Sequence, residues 1–256
     1  MKNIVVFDLD GTLVESKTPL SSEMSELLSK LLGVKKVVII TGGSYNAFQK
    51  QLLPSLKCSE ELLENLFIFP TCGTSFYIYD LDGGLGEWKM IYSHDLGVDE
   101  KEKIMNGFDK MFEELDYKHP EEVYGEIIED RGTQVTFSAH GQEAPLEVKG
   151  KWDPDQKKRL VMREALSKHI PGFDIKIGGA SSLDITKKGI DKAYGMEQIM
   201  KHLNVEKDEI VFVGDALFDG GNDYPVKVMG IDCIEVSGPN DSAEFIRKIL
   251  KESEEN

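Results

Sequence analysis

Four runs of this chain, 3–10 (NIVVFDLD), 35–41 (KKVVIIT), 65–71 (NLFIFPT) and 208–215 (DEIVFVGD), are apolar through consecutive positions rather than at every second one. A strand with one wet face alternates, whereas a strand buried on both faces does not. Between the runs lie stretches of helical character: SSEMSELLSKLLG, YNAFQKQLLPSL and GIDKAYGMEQIMKHLN, with AEFIRKILKE near the end. Buried strands alternating with helices require a parallel sheet covered on both sides, an α/β Rossmann-like core. The pattern occurs at both ends of the chain, so both ends are expected in one sheet.

The middle of the chain follows a different grammar. After SFYIYDLDGG come WKMIYSHD, a helix expected over about 99–115, the adjacent runs GEIIED and QVTFSA around Arg131, Gly132 and Thr133, a helix over about 155–169, and FDIKIGG. Consecutive short strands with helices on one side predict an antiparallel α+β unit inserted into the core. The expected division is a catalytic core of 1–82 and 182–256 and an inserted α+β domain of 83–181, with KESEEN a frayed tail.

The 256 residues carry 30 Lys and Arg against 46 Asp and Glu, a formal charge of −16. Such a surface repels nucleic acid backbones and anionic lipid, so neither is an expected partner. A phosphorylated small molecule remains compatible if cations are gathered locally in one cleft. Cys58, Cys72 and Cys233 lack metal or redox spacing, and the first residues lack the apolar core of a signal peptide. A reduced, soluble, cytoplasmic protein is expected.

The sharpest motif is Asp8-Leu9-Asp10-Gly11-Thr12, at the C-terminal end of the first strand, the edge where α/β sheets build their sites. Two carboxylates on one side of a strand repel unless a cation lies between them or one holds a proton. One residue type can then supply both a nucleophile and an acid/base partner. The second strand ends in Thr41-Gly42-Gly43-Ser44, a hydroxyl among backbone amides suited to phosphate oxygens. The fourth ends in GDALFDGGND (214–223), whose carboxylates around glycines suit a magnesium ion and its hard oxygen ligands. Lys192 opens the helix before it and could neutralise phosphate.

In order and spacing these four elements resemble the haloacid dehalogenase superfamily of phosphoryl-transfer enzymes. GGNDY, GGASSLD followed by GIDK, and EDRGTQVTFSAHG further resemble its phosphomannomutase members, which have a large α/β cap, and the resemblance covers nearly the whole chain. It implies a Mg²⁺-dependent enzyme in which Asp8 forms an aspartyl-phosphate, Asp10 is the acid and base, and Thr41 and Lys192 hold the phosphoryl oxygens. It also implies Mg²⁺ ligation by Asp8, the Asp10 carbonyl and Asp215, with Asp223 nearby. The substrate would be a phosphorylated sugar whose phosphate moves between positions 6 and 1 of a hexose, mannose first. Gly42, Gly43, Lys17, Arg131, Ser182 and Asp184 match substrate-side positions, and a homodimer through the cap is implied.

Three departures bear on the substrate side: Gln142 stands where those enzymes commonly carry a second arginine, Lys17 where they carry an arginine after the first motif, and Gly132 and Thr133 where they carry Asn-Gly. Arg159 or Lys149 is a candidate substitute in the distal phosphate clamp. Arg131 has a plainer alternative, an ion pair with Asp130 or Glu129. The competing function within the fold is a sugar-phosphate phosphatase, and outside enzymes it is a binding protein. The latter is disfavoured because both Asp8 and Asp10 are present.

Overall fold

The computed structural model describes residues 2–81 and 86–255. The chain forms two compact units, Met1–Ser93 with Asp191–Asn256 and the inserted His94–Ile190. In chain order the elements of the first crossing of the core are β1 (Ile4–Phe7), α1 (Ser22–Leu32), β2 (Lys36–Ile40), α2 (Tyr45–Gln51), α3 (Glu60–Leu63), β3 (Leu66–Phe69), β4 (Ser75–Asp80) and β5 (Glu87–Ser93). The inserted unit contains α4 (Val98–Glu114), β6 (Ile128–Asp130), β7 (Val135–Ser138), α5 (Leu146–Trp152), α6 (Lys157–His169), β8 (Phe173–Gly178) and β9 (Ser182–Lys187). The chain returns to the core through α7 (Lys192–Leu203), β10 (Ile210–Gly214), α8 (Tyr224–Val228), β11 (Asp232–Glu235) and α9 (Pro239–Glu254).

The core sheet has the order β11-β10-β1-β2-β3-β4-β5. Its first four neighbour pairs are parallel, and β4 and β5 are added antiparallel. The unbroken apolar runs are explained by the two faces. Val5, Phe7, Val37, Ile39, Val211 and Val213 join a cluster with Met24, Leu28 and Leu31 of α1 and Ile246 of α9. The intervening Ile4, Val6, Val38, Ile40, Ile210 and Phe212 join a second cluster with Met196 and Ile199 of α7 and Val226 of α8. Each such side chain removed from water contributes about 1.5–3 kcal/mol before chain entropy is counted. Among the described residues no helix is long and apolar enough to cross a membrane.

Between β3 and β4 lies only a single 3-10 turn, Thr71–Gly73, too short to carry the chain across the sheet, which is why the pairing turns antiparallel. The link is a tight turn in which Thr71, Cys72 and Gly73 all have positive φ, 46°, 54° and 82°. Thr71 N–H donates to the Gly43 carbonyl and Cys72 N–H to the Thr41 carbonyl, both at 2.8 Å, so the strained turn braces the loop after β2.

The inserted sheet is fully antiparallel, in the order β6-β7-β9-β8. Val135, Phe137, Leu183 and Ile185 point to one side, where Ile104, Phe108 and Met111 of α4 and Met162 and Leu166 of α6 cover them. Alternation along the strands leaves Thr136, Ser138, Ser182, Asp184 and Thr186 on the other side.

The units divide differently from the expected 82/83 and 181/182. The first expected boundary falls outside the described residues. β5, assigned in sequence to the insert, pairs with β4 from Ser75↔Ser93 to Asp80↔Glu87 and completes the core sheet. Ser182–Lys187, assigned to the core, is the inner strand between β7 and β8. Both segments are short, mixed polar and apolar strands, and local pattern does not say which sheet such a strand joins. KESEEN is not frayed throughout, because α9 continues to Glu254.

Candidate active site

Strand ends at one edge of the core sheet assemble the site. Asp8 directly follows β1, and its N–H donates to the Val213 carbonyl at 3.0 Å, fixing it beside the end of β10. Asp215 follows β10 and Thr41 follows β2. Asp191 caps α7 by accepting the Tyr194 N–H at 3.0 Å, which makes Lys192 the first helical residue. A cation there opposes the helix dipole, so propensity does not explain this lysine. Its surroundings do: Lys192 is 1% exposed, and its Nζ is paired with Oδ1 of Asp8 and Oδ1 of Asp223.

Asp8, Asp215 and Asp223 each offer an oxygen, and these lie within 4.8 Å of one another. Asp223 is wholly buried and its Oδ2 accepts the Ala216 N–H at 3.1 Å, which turns the loop after β10 back on itself. Asp223 thus joins the cluster, while Asp219 of the same loop is exposed. Thr12 Oγ1 donates to Asp215 Oδ1 at 3.4 Å. Gly11 has φ +80°, and a Cβ there would stand 2.6 Å from Asp215 Oδ2, so only glycine lets the two loops meet. Thr12 escaped the sequence reading as a functional residue, although its place in DLDGT was the available signal.

Three buried or half-buried carboxylates surround one ammonium. Burial raises the Asp8 carboxyl to about 7; Lys192 opposes the shift and the Asp223 charge adds to it. Burial and then Asp223 also raise Asp215. Lys192 moves upward as well: burial opposes its charge, but Asp8 and Asp223 outweigh that cost. The cluster is short of positive charge, and its donors are all hard oxygens, a set that fits a divalent magnesium ion.

The remaining core residues take distinct places. Asp10 is half-buried, and its Oδ1 accepts the backbone N–H of Lys17 at 2.6 Å. Lys17 is exposed with φ 60°, so its peptide rather than its ammonium meets Asp10. Thr41 is buried, and its Oγ1 accepts the Gly43 N–H at 3.1 Å. Gly42 has open space where a side chain would lie, and a side chain on Gly43 would press on Ala47.

In the inserted unit, Arg131 Nε pairs with Glu129 at 2.5 Å and its Nη2 donates to Gln142 Oε1 at 3.1 Å. The ion-pair alternative therefore holds for Glu129; Asp130 pairs with Lys101 instead. Lys149, buried on α5, donates to the Gln142 carbonyl at 2.7 Å, so two cations converge on Gln142. Asp184 Oδ1 accepts Thr136 Oγ1 at 2.7 Å, and Thr136 in turn accepts Gln134 Nε2 at 2.9 Å. Thr136 and Gln134 were not foreseen, because alternation marks a polar face without saying which hydroxyls on it are tied together. Ser182 lies on the same strand, opposite Ser138 and Gly178. Arg159 is not available as a phosphate clamp: it is 2% exposed and bonded to Asp153 and to backbone carbonyls.

Known proteins resemble this chain in both sequence and fold. The chain is 28% identical to the phosphomannomutase of Schizosaccharomyces pombe, over 97% of this chain and 95% of that protein. It is 29% identical to the phosphomannomutase of Encephalitozoon cuniculi, over 98% and 94%. Among solved structures, an IMP-bound, N-terminally truncated IMP-nucleotidase of Plasmodium falciparum superposes with a TM-score of 0.67 at 18% identity, covering 97% of this chain and 68% of that one. A haloacid dehalogenase-like hydrolase from Bacteroides thetaiotaomicron gives 0.62 at 16% identity, covering 97% and 100%. These two likenesses show the fold. The sequence pattern of one family matches residues 5–225, from β1 through the loop that holds Asp215 and Asp223, and the chain belongs to the haloacid dehalogenase-like hydrolase family.

Proposed function

We propose that this protein is a phosphomannomutase-type phosphohexomutase that moves a phosphoryl group between the 6 and 1 positions of a hexose, with mannose phosphate as its first substrate. One observation carries the mutase over a simple hydrolase: the likeness to proteins named phosphomannomutase runs through the inserted unit and covers 97% of the chain. In this reading the inserted unit, His94–Ile190, is the specificity cap.

Asp8, its carboxylate fixed by Lys192, attacks phosphorus. An Oδ–P bond forms while the P–O bond to the sugar breaks, and Asp10 gives a proton to the departing sugar oxygen. In the other direction Asp10 takes the proton from a sugar hydroxyl as that oxygen accepts the phosphoryl group from Asp8. The Lys17 peptide holds one oxygen of Asp10, leaving the second to carry the proton. Lys192 and the Thr41 hydroxyl, with Gly42 and Gly43 amides, hold the equatorial oxygens. Asp8, the Asp10 carbonyl, Asp215 and Asp223 would hold Mg²⁺, whose charge offsets repulsion between carboxylate and phosphate.

Because the Asp8 and Asp215 carboxyls titrate higher in the folded chain than in the unfolded one, the folded chain holds more protons than the unfolded one, for Asp8 between about pH 4 and 7. Stability is therefore lost across that window. In excess chelator, Tm is expected to be lower near pH 8 than near pH 5, and added Mg²⁺ should recover it near pH 8 by mass action. A flat profile would remove the charge imbalance from the account.

The direct test supplies Mg²⁺, mannose 1-phosphate and a trace of hexose 1,6-bisphosphate, and separately measures mannose 6-phosphate and inorganic phosphate. Isomerised sugar is the expected product. The engagement of Arg131 by Glu129 and Gln142 favours a second reading, a sugar-phosphate phosphatase, for which phosphate alone would appear. If Arg131 grips the distal phosphate, Arg131→Ala should cost about 1.5–3 kcal/mol, one to two orders of magnitude in mutase efficiency. Hydrolysis of nitrophenyl phosphate should be unaffected. Equal losses in both assays would make Arg131 a prop of the inserted unit.

A further inference from the structure

The inserted unit contains a buried ion pair that none of the foregoing chemistry uses. Arg159, in the first turn of α6, donates through Nε to Asp153 Oδ2 at 2.9 Å and through Nη2 to the Asp153 carbonyl at 3.1 Å. Its Nη1 donates to the carbonyls of Gly178 at 3.2 Å and Gly179 at 2.8 Å. Asp153 also accepts the N–H groups of Lys158 and Arg159, both at 3.0 Å, and so satisfies donors at the start of α6. Burial opposes ionisation of Asp153, but the hydrogen bonds from Arg159 and these amides outweigh it and hold the carboxyl below its usual range. A flat guanidinium can serve a carboxylate and three carbonyls together; an ammonium lacks that fork.

The carbonyls of Gly178 and Gly179 lie at the start of the β8–β9 turn. Gly178 pairs with Ser182 to close the hairpin, and Gly179 has φ +45°. The same glycine backs Asp184. A Cβ built on Gly178 would lie 2.2 Å from Asp184 Oδ2, so the carboxylate rests over bare backbone while its other oxygen accepts Thr136 Oγ1. One peptide segment thus meets Arg159 through its carbonyls and Asp184 through its missing side chain.

We propose that Arg159 is a positioning residue: by fixing the carbonyls of Gly178 and Gly179 it sets the β8–β9 turn, and through that turn it orients Asp184 to accept a sugar hydroxyl. The proposal rests on the hexose-phosphate reading above. It makes the specificity of the polar sheet face depend on a side chain that never touches substrate.

The test compares Arg159→Lys, Asp184→Asn and the double variant, with mannose 1-phosphate and nitrophenyl phosphate as substrates. Arg159→Lys should raise KM for the sugar phosphate about tenfold, the worth of one hydrogen bond, and change kcat less than about threefold. Nitrophenyl phosphate hydrolysis should not change. Because the two residues act on one contact, the double variant should be no worse than Asp184→Asn alone. Amide exchange over 178–184 should accelerate in Arg159→Lys. If Arg159→Lys does not fold, Asp153→Asn with Arg159→Leu leaves no lone buried charge and serves for the same measurements.

Additive effects on KM, an unchanged KM, or parallel losses on both substrates would each overturn the proposal. Failure of the underlying reading looks different: the wild-type protein would itself leave mannose 1-phosphate untouched, and the proposal would fall with it.

Discussion

Asp8→Asn is expected to abolish phosphoryl transfer, by at least about 10⁴-fold, while leaving a folded protein. The amide has the shape of the carboxylate, so the packing of a side chain only 3% exposed is kept. It lacks the oxygen proposed as nucleophile, and neither other carboxylate of the cluster stands in its place: Asp223 is committed to Lys192 and the Ala216 N–H, and Asp215 follows the neighbouring strand β10. The charge imbalance in the cluster also shrinks, so chelated Asp8→Asn protein should lose less stability between about pH 4 and 7 than wild type does. Single-turnover transfer from a hexose phosphate and thermal denaturation check the two halves. Activity within about tenfold of wild type, at native-like Tm, would exclude Asp8 as the nucleophile.

Lys192→Met carries the second large effect, this time on stability. The thioether keeps an unbranched apolar stem, and the lysine it replaces has its Nζ 5.9 Å from the Phe212 ring centroid. What disappears is the ammonium bonded to both Asp8 and Asp223, two carboxylates that water barely reaches. Breaking a buried pair from one side typically costs about 3–5 kcal/mol, because the remaining charge is left without a partner. Acid should recover part of the loss, since protonating Asp8 removes a stranded charge. Denaturant unfolding at about pH 5 and pH 8 measures this. A variant as stable as wild type at both pH values would mean that the ammonium is not needed to hold the carboxylates together.

The core was legible in the sequence because its signals are redundant. Ile4–Phe7 is apolar at all four positions since alternate side chains serve two different clusters, and the Asp8, Thr41 and Asp215 positions each follow directly where such a run stops. Lys192 was legible only in company with these motifs, because a lone lysine that opens a helix is ordinarily solvated. The inserted unit was less legible. β9 contains Leu183 and Ile185 on one face and Ser182 and Asp184 on the other, a pattern that suits either sheet, and it was assigned to the wrong one. The bonding of Arg159 was beyond reach for another reason: its partners Gly178 and Gly179 present only backbone, which leaves no trace in residue type.

The insertion of one unit within another also governs how the chain acquires its structure during synthesis. β1 lies in the middle of the core sheet, yet its neighbour β10 begins at Ile210, so Ile4–Phe7 emerges with one edge unpaired. At ribosomal speeds of about 5–20 residues per second, roughly 10–40 s pass before that edge can be covered. The inserted unit, contiguous in sequence and built from hairpin-linked antiparallel strands, can close in the meantime. The nascent chain therefore spends its synthesis as a folded insert tethered to five of the seven strands of the core sheet, with an apolar strand edge open to other chains. In cells, the yield of this protein should depend on how well that edge is shielded until β10 arrives.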